Sequence, residues 1–368
     1  MINKKINIAV FLAVLVCFAA IVTLFPRDER TVERENRAFN RLPEISVNNI
    51  FSGGFAGGFE PYLSDRVGYR ASFVTLAKRM EYMRGLGEVT VRISNDTLIL
   101  PDRLMEIFTA NEQAANRYAD VIATYRETLG DNVRVFSLLA PTQLEFAEEQ
   151  YSGIADSQYD AIEGVYALLE KTGVIPVDAY SAIAPHAGEY VYFRTDHHWT
   201  ALGAYFAYTA FADAAGFAPL PLTDFEHHSA AGFLGYMYNR EPVAGITPDT
   251  IEWYEFTDIE TENAIYYPPK PEEKVTYGVF LGGDHDKYVI ETGLTTGKTA
   301  VIIKDSYANA FIPWLVPHYD TIVVLDPREF EGSACEVVAE YENVDLIFIN
   351  YVLSTTFSDF IRMMENIR

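Results

Sequence analysis

The chain has 368 residues, 49% of them hydrophobic, and a formal charge of −24 at pH 7. Such a length and apolar content suit one large α/β domain with a smaller lead-in and argue against a disordered chain. The negative charge disfavours nucleic acid and anionic membrane surfaces as partners, and no nucleic-acid partner is expected, while a neutral or cationic polymer is better tolerated.

At the start of the chain, Ile6 to Phe25 is an apolar run preceded by Lys4 and Lys5 and followed by Pro26-Arg27-Asp28-Glu29. That length spans a bilayer, and the positive flank keeps the N-terminus in the cytoplasm and exports the rest. A long signal peptide is the competing reading, but no small-x-small cleavage site follows, so residues 1–27 are expected to be an uncleaved single-pass anchor. Cys17 lies in that run, which leaves Cys335 as the one thiol outside the bilayer and no intrachain disulfide. Residues 28–87 are charged and punctuated by Gly53-Gly54, Gly57-Gly58 and Pro61, then amphipathic from Tyr69 to Arg84. They predict a stalk and a helical lead-in, with Gly53 to Gly58 as a turn that lacks the preceding strand a phosphate cradle needs.

Residues 88–368 alternate strand-like and helix-like runs. Val89–Ile93, Thr97–Leu100, Val133–Leu139 and Val174–Val177 are short and β-rich, whereas Asn111–Leu129 and Ser157–Lys171 have helical patterns. The alternation predicts βαβ units and a mainly parallel sheet flanked by helices. Ala300–Ile303, Thr321–Leu325 and Leu346–Ile349 add three buried strands, whose carboxyl ends carry Asp305-Ser306, Asp326-Pro327-Arg328 and Asn350-Tyr351. Open α/β sheets bind ligands at those ends, so Arg328 and Asn350 become candidates for substrate contact, against the alternative of a solvated loop. Between them, an insertion at about 222–271 is rich in aromatics, including Phe225, Phe233, Trp253, Tyr254 and Tyr267. Aromatic faces there suit stacking on sugar rings, with ordinary core packing as the equal alternative.

Chemistry concentrates in two segments. Tyr192-Phe193-Arg194-Thr195-Asp196-His197-His198-Trp199-Thr200 places an acid, two imidazoles and an indole before a helix start, and Lys298 to Phe311 reads as buried strand, sharp turn and helix with Ser306 at the turn. A serine hydroxyl becomes a nucleophile when an imidazole takes its proton, and a carboxylate fixes that imidazole. Asp196, His198 and Ser306 are therefore a candidate triad, and a helix start after Ser306 would offer the backbone N–H of Tyr307 or Ala308 to an oxyanion. Two other readings stand beside this one. Ser306 is also a good helix cap. Asp196-His197-His198, His227-His228 and Asp284-His285-Asp286 also carry metal-ligand types, although adjacent histidines on a strand point to opposite faces and no HExxH or Cys spacing occurs.

The run from Tyr192 to Tyr205 resembles the signature of the DHHW family of bacterial surface proteins, named for those four letters. Glu35-Asn36-Arg37, Tyr62-Leu63-Ser64-Asp65-Arg66 with Arg70, Ala140-Pro141-Thr142, Gly282-Gly283-Asp284-His285, Lys304 to Asn309 and Asp326-Pro327-Arg328 resemble that family's blocks in order. The family is itself similar to the SGNH-hydrolase-like, flavodoxin-like domains of alginate O-acetylation proteins, in which a Thr-Asp-x-His-Trp motif and a later Ser supply the catalytic groups. The resemblance implies Asp196, His198 and Ser306 as the triad, with Trp199, Tyr307, His285, Arg328 and Asn350 as substrate-binding or oxyanion candidates. One departure is Asp284, where the family's Gly-Gly-x-His block has Asn.

Together these readings predict a membrane-anchored extracytoplasmic α/β protein. It would transfer acetyl groups to a cell-envelope polysaccharide or exopolysaccharide, or remove them, with no metal or other cofactor and with a membrane-bound acyl-donor protein as a potential partner. The competing reading is a catalytically inactive carbohydrate-binding scaffold of an export complex.

Overall fold

The computed structural model describes residues 41–46, 49, 54–65, 91–151 and 153–368. The apolar run 6–25 and the amphipathic stretch 69–84 lie outside these residues, and among the described residues no helix is long and apolar enough to cross a membrane. Val91–Gly235 together with Thr247–Arg368 forms one compact unit, and the described residues before it, with Tyr236–Ile246, belong to a second.

In that other part, Gly54–Ser64 is a helix and not the turn that its glycines suggest. Phe55 stacks on Phe59 at 5.4 Å, and Phe59 meets Tyr62 at 6.1 Å. Aromatic pairs at i,i+4 and i,i+3 stabilise a helix and here offset the entropy cost of Gly57 and Gly58.

The large unit begins with β1 (Arg92–Ser94), β2 (Thr97–Ile99) and β3 (Leu104–Glu106), paired antiparallel in that order. The sequence pattern puts β1 and β2 in the parallel sheet, but they form this separate one. Asn95 and Asp96 take left-handed φ values of 48° and 57°, the two-residue turn that folds a strand straight back on its neighbour.

Six further strands make the central sheet: β4 (Arg134–Ala140), β5 (Ile175–Val177), β8 (Lys287–Glu291), β9 (Thr299–Lys304), β10 (Thr321–Leu325) and β11 (Val344–Tyr351). Their order is β5-β4-β11-β9-β10-β8, parallel throughout except for β8, which pairs antiparallel with β10 at the edge. β6 (Glu226–Phe233) and β7 (Asp249–Glu255) pair as a separate antiparallel ribbon. The predicted helices stand where their caps put them. Asn111 caps α1 (Glu112–Leu129) at Ala114 N, and Ser157 caps α2 (Gln158–Leu169) at Asp160 N; each side chain accepts one of the orphan N–H groups of a helix start.

Side chains alternate across the sheet, and each face has its own core. Val301, Ile303, Leu346 and Phe348 pack under α1 and α2. Ala300, Ile302 and Ile347 face α3 (Ala201–Ala215) and the segment 308–316. Phe225, Phe233 and Trp253 join this second core at 8%, 3% and 7% exposure, with Phe225 against Trp314 at 4.9 Å. These three aromatics of the insertion pack inside and are no sugar-stacking surface, because one face of the β6–β7 ribbon closes over the sheet's covering layer, whereas Tyr254 is half-buried and Tyr267 is 45% exposed.

Candidate active site

Parallel strands bring their carboxyl ends to one edge of the sheet, so Ser306, Asp326 and the end of β11 gather there. β9 ends at Lys304 and the chain turns at Ser306 into α4 (Ala308–Phe311), which stops after four residues. Pro313 and Pro317 turn its continuation into a 3-10 helix over Ile312–His318.

The His-bearing segment is a closed loop and not a strand. Tyr192 bridges antiparallel to Trp199, Phe193 N–H donates to the His198 carbonyl at 3.3 Å, and Thr200 N–H donates to Val191 O at 2.9 Å. Thr200 then caps α3 at Gly203 N. At the loop's tip, Asp196 Oδ1 accepts from His198 N at 3.0 Å and lies 2.5 Å from His198 Nδ1. His198 Nε2 is 2.7 Å from Ser306 Oγ. A carboxylate only accepts, so Nδ1 carries the proton and Nε2 presents its lone pair to the hydroxyl. Asp196 and His198 are buried at 4% and 5% exposure, while Ser306 is half-buried and reachable. The arrangement is a general base set on a hydroxyl and oriented by a buried acid.

Three residues that no sequence motif singled out hold this geometry. Asp249, wholly buried at the start of β7, accepts from Tyr190 OH at 2.7 Å, Thr195 Oγ1 at 2.6 Å, Thr195 N at 2.8 Å, and Arg194 N and Nε at 3.1 Å. Gly235 N–H donates to Thr195 Oγ1 at 3.0 Å, and a Cβ at Gly235 would fall 2.3 Å from Asp196 Cβ and Oδ2. Tyr277 lies flat on the His198 ring, 3.9 Å away at 10°. Backbone closeness and aromatic packing between segments far apart in the chain leave no spacing pattern to find.

The remaining predicted residues take other places. Tyr307 N–H is bound to Asp305 Oδ1 at 3.0 Å and Ala308 N–H to Asp305 O at 3.2 Å, so neither is open to an oxyanion, and α4 is too short to supply a dipole. The Tyr307 hydroxyl donates to His197 O. Trp199 is fully buried and its Nε1 donates to Tyr307 O at 2.8 Å, stapling the loop to the serine turn instead of meeting substrate. Asn350 shares the face of Leu346 and Phe348, is fully buried, and accepts from Tyr118 OH at 2.8 Å, which removes it from substrate contact. His285 Nε2 lies 2.7 Å from Leu281 O and so ties its own loop.

Arg328 belongs to a charge cluster beside the serine. Its Nε lies 2.8 Å from Asp326 Oδ1 and its Nη2 2.7 Å from Asp284 Oδ2. The buried Lys304 Nζ reaches Asp284 at 2.5 Å and Asp326 at 3.1 Å. Burial alone would raise the Asp284 pKa, but Lys304 and Arg328 hold it well below the usual carboxylate range. Asp284, standing where Asn was expected, thereby fastens the loop of Gly282 and Gly283, at φ 77° and 112°, to the end of β9. Burial raises the Asp305 pKa, against hydrogen bonds from Ser354, Tyr351 N and Tyr307 N.

His197 and His198 lie side by side, ring centres 3.9 Å apart, and not on opposite faces. The loop, unlike a strand, does not alternate its side chains. Asp196, His197 and His198 are thus the one group of metal-ligating types that comes together among the described residues. In two of the three the donors are already committed, since Asp196 Oδ1 and His198 Nδ1 bind each other and His198 Nε2 faces Ser306, while His197 Nδ1 lies 3.7 Å from Asp196 Oδ1. Burial and the neighbouring His198 lower the His197 pKa, keeping it neutral. His227 and His228 sit apart on β6, near Glu252 and Glu255.

Residues 87–325 match the family model described as DHHW protein, and the chain belongs to that family. It is similar to a DHHW family protein from Eubacterium siraeum, with a TM-score of 0.69 and 28% identity over 76% of this chain and 97% of that one. Bacillus cereus PatB1, solved with a sulfonyl adduct, shares the fold at a TM-score of 0.60 and 18% identity over 74% and 99% of the two chains. The O-acetyltransferase domain of Pseudomonas putida AlgJ matches at a TM-score of 0.43 and 15% identity over 76% and 99%. No curated protein sequence matches the chain.

Proposed function

We propose that this DHHW protein is an SGNH-like acyl-transfer enzyme that moves acetyl groups to or from the hydroxyls of an extracytoplasmic polysaccharide. The observation that carries the reading is the unbroken relay Asp196 Oδ1, His198 Nδ1, His198 Nε2, Ser306 Oγ at 2.5 and 2.7 Å. Ser306 Oγ attacks the acetyl carbonyl carbon as its proton passes to His198 Nε2. The ester C–O bond then breaks, and the departing alkoxide takes that proton. The acetyl group stays on Ser306 until an acceptor hydroxyl, or water, repeats the sequence in reverse. Asp196 stabilises the imidazolium in both halves, and Tyr277 keeps the ring plane fixed. The oxyanion is met by the Ser306 N–H, which makes no hydrogen bond among the described residues. The apolar run 6–25 anchors the chain and the acidic domain faces outward, where polysaccharide is found.

The test is to incubate the full chain with p-nitrophenyl acetate and map acetylation by mass spectrometry. Acetyl on Ser306, absent from Ser306→Ala and His198→Ala, with turnover lower by several orders of magnitude in both, is the expected result, since triads act as a unit. Equal turnover in either variant refutes the assignment. Protease applied to wall-less cells should remove the domain, and protection of residues 28–368 would refute the orientation.

A further inference from the structure

The unit that carries the triad also holds a cavity of about 400 Å³, inside the ordinary range of small-ligand sites, about 300–1,000 Å³. Its lining includes Arg103, Gln143, Phe146, Glu189, Tyr192 and Arg194. Two of these belong to the signature loop itself. An extended residue spans at most about 3.6 Å, so Asp196 stands within about 7 Å and His198 within about 14 Å of Arg194 along the backbone. The cavity is therefore within a few sugar rings of the Ser306 hydroxyl.

Its polar groups are arranged but incompletely used. Phe146 and Tyr192 face each other at 6.1 Å and 27°, and the Tyr192 hydroxyl is already spent on Pro141 O at 2.8 Å, leaving its ring as wall. Gln143 Oε1 is buried and accepts no hydrogen bond among the described residues. Arg194 is held through Nε by Asp249 and through Nη2 by Pro248 O, and Arg103 through Nε and Nη2 by Asp102. In each guanidinium Nη1 has no hydrogen-bond partner among the described residues, and each charge is balanced by its carboxylate. Glu189, likewise paired with His186 at 2.6 Å, adds no attraction for an anion. An apolar wall with fixed donors, a buried amide and no net positive charge suits a ring that is uncharged and rich in hydroxyl or acyl oxygens.

We propose that this cavity is a saccharide subsite that holds one neutral pyranose ring of the polymer that is acetylated or deacetylated at Ser306. The proposal rests on the acyl-transfer reading and adds to it the class of sugar.

The experiment measures binding of cello- and chito-oligosaccharides, with oligogalacturonate as the anionic comparison, to the full chain by calorimetry. Neutral oligosaccharides should bind, and Phe146→Ala should raise Kd about tenfold through the lost ring face. Two variants at tolerant positions guard against misfolding. The Arg103 side chain is 39% exposed, and Arg103→Ala should weaken binding by a similar factor. Gly188 lines the cavity and a Cβ there meets nothing within 4 Å, so Gly188→Leu should obstruct it. Ser306→Ala should bind as tightly as the wild type. Undiminished binding in Arg103→Ala and Gly188→Leu, or binding confined to oligogalacturonate, overturns the subsite. Failure of Ser306 acetylation with sensitive binding overturns the reaction and leaves the subsite standing.

Discussion

Gly235→Ala isolates the placement of Asp196 from its chemistry. The added methyl would stand 2.3 Å from Asp196 Cβ and Oδ2, whereas ordinary contact begins near 3.4 Å, so the Asp196 side chain must retreat by about 1 Å. Gly235 has no positive φ, and the substitution therefore acts through this contact and not through backbone strain. A misplacement of about 1 Å in a catalytic constellation costs roughly 100-fold in rate; the ceiling is the roughly 10,000-fold loss of a mis-set acid in a triad. Overpacking should also cost about 1–3 kcal/mol of stability. The assay is p-nitrophenyl acetate turnover of the folded fraction, beside thermal melting. Gly164→Ala is the control, in α2 and with nothing within 4 Å of its Cβ. The decisive comparison adds Asp196→Asn. Both changes act on one contact, so the double variant should be little worse than the poorer single one. Unchanged turnover in Gly235→Ala, or losses that multiply in the double variant, would refute the reasoning.

Asp249→Ala strips the carboxylate from the donors of Tyr190, Arg194 and Thr195, and breaking such a buried cluster should cost about 3–5 kcal/mol, read as a fall in denaturation midpoint, with Asp249→Asn intermediate. Partial burial, and then the nearby Lys298, lower the pKa of the half-buried His318 from 6.5 to about 4, and its Nε2 pairs with Tyr208 OH at 2.7 Å. The unfolded chain then binds the proton more readily than the folded one, so stability is full above pH 6.5 and declines as pH falls toward 4. The ceiling is about 3 kcal/mol, smaller after allowance for partial exposure. Urea denaturation of His318→Gln across that window should lose much of the slope. Turnover should survive a strong chelator, because the donors of Asp196 and His198 are committed to each other and to Ser306; one zinc or iron per chain, lost with activity in His197→Ala, would point to a metal site instead.

The inner strands of the central sheet were legible because they are buried on both faces and read as short apolar runs, whereas the half-buried edge strand β8 carries no such run and has no counterpart in the sequence pattern. Thr321–Leu325 was bounded to the residue, and Ala300–Ile303 missed only one residue at each end. Val89–Ile93 and Thr97–Leu100 look the same in composition, yet partner choice turned on Asn95 and Asp96, a turn signal lying between two runs that were read separately. The helix at Gly54–Ser64 was hidden for the opposite reason. Its glycines advertise a turn, and the aromatic pairs that outweigh them count only once the backbone is already helical.

Within the site, a two-residue spacing and a Ser after a buried strand sufficed to bring Asp196, His198 and Ser306 together, since local chain geometry fixes the first pair and sheet topology delivers the third. The supporting residues answer to a different constraint. Asp249 must be an acid because five donors converge on it from another segment, and Gly235 must lack a side chain because the Asp196 carboxylate occupies that volume. Neither requirement leaves a mark beside the motif it serves. The same separation explains Asn350: the sheet's alternation turns it away from Ser306 toward Tyr118, while its neighbour Tyr351 stacks on Tyr307 at 4.9 Å. A residue at the carboxyl end of a parallel strand is thus a candidate for the site only on one parity, and on β11 that parity belongs to Tyr351.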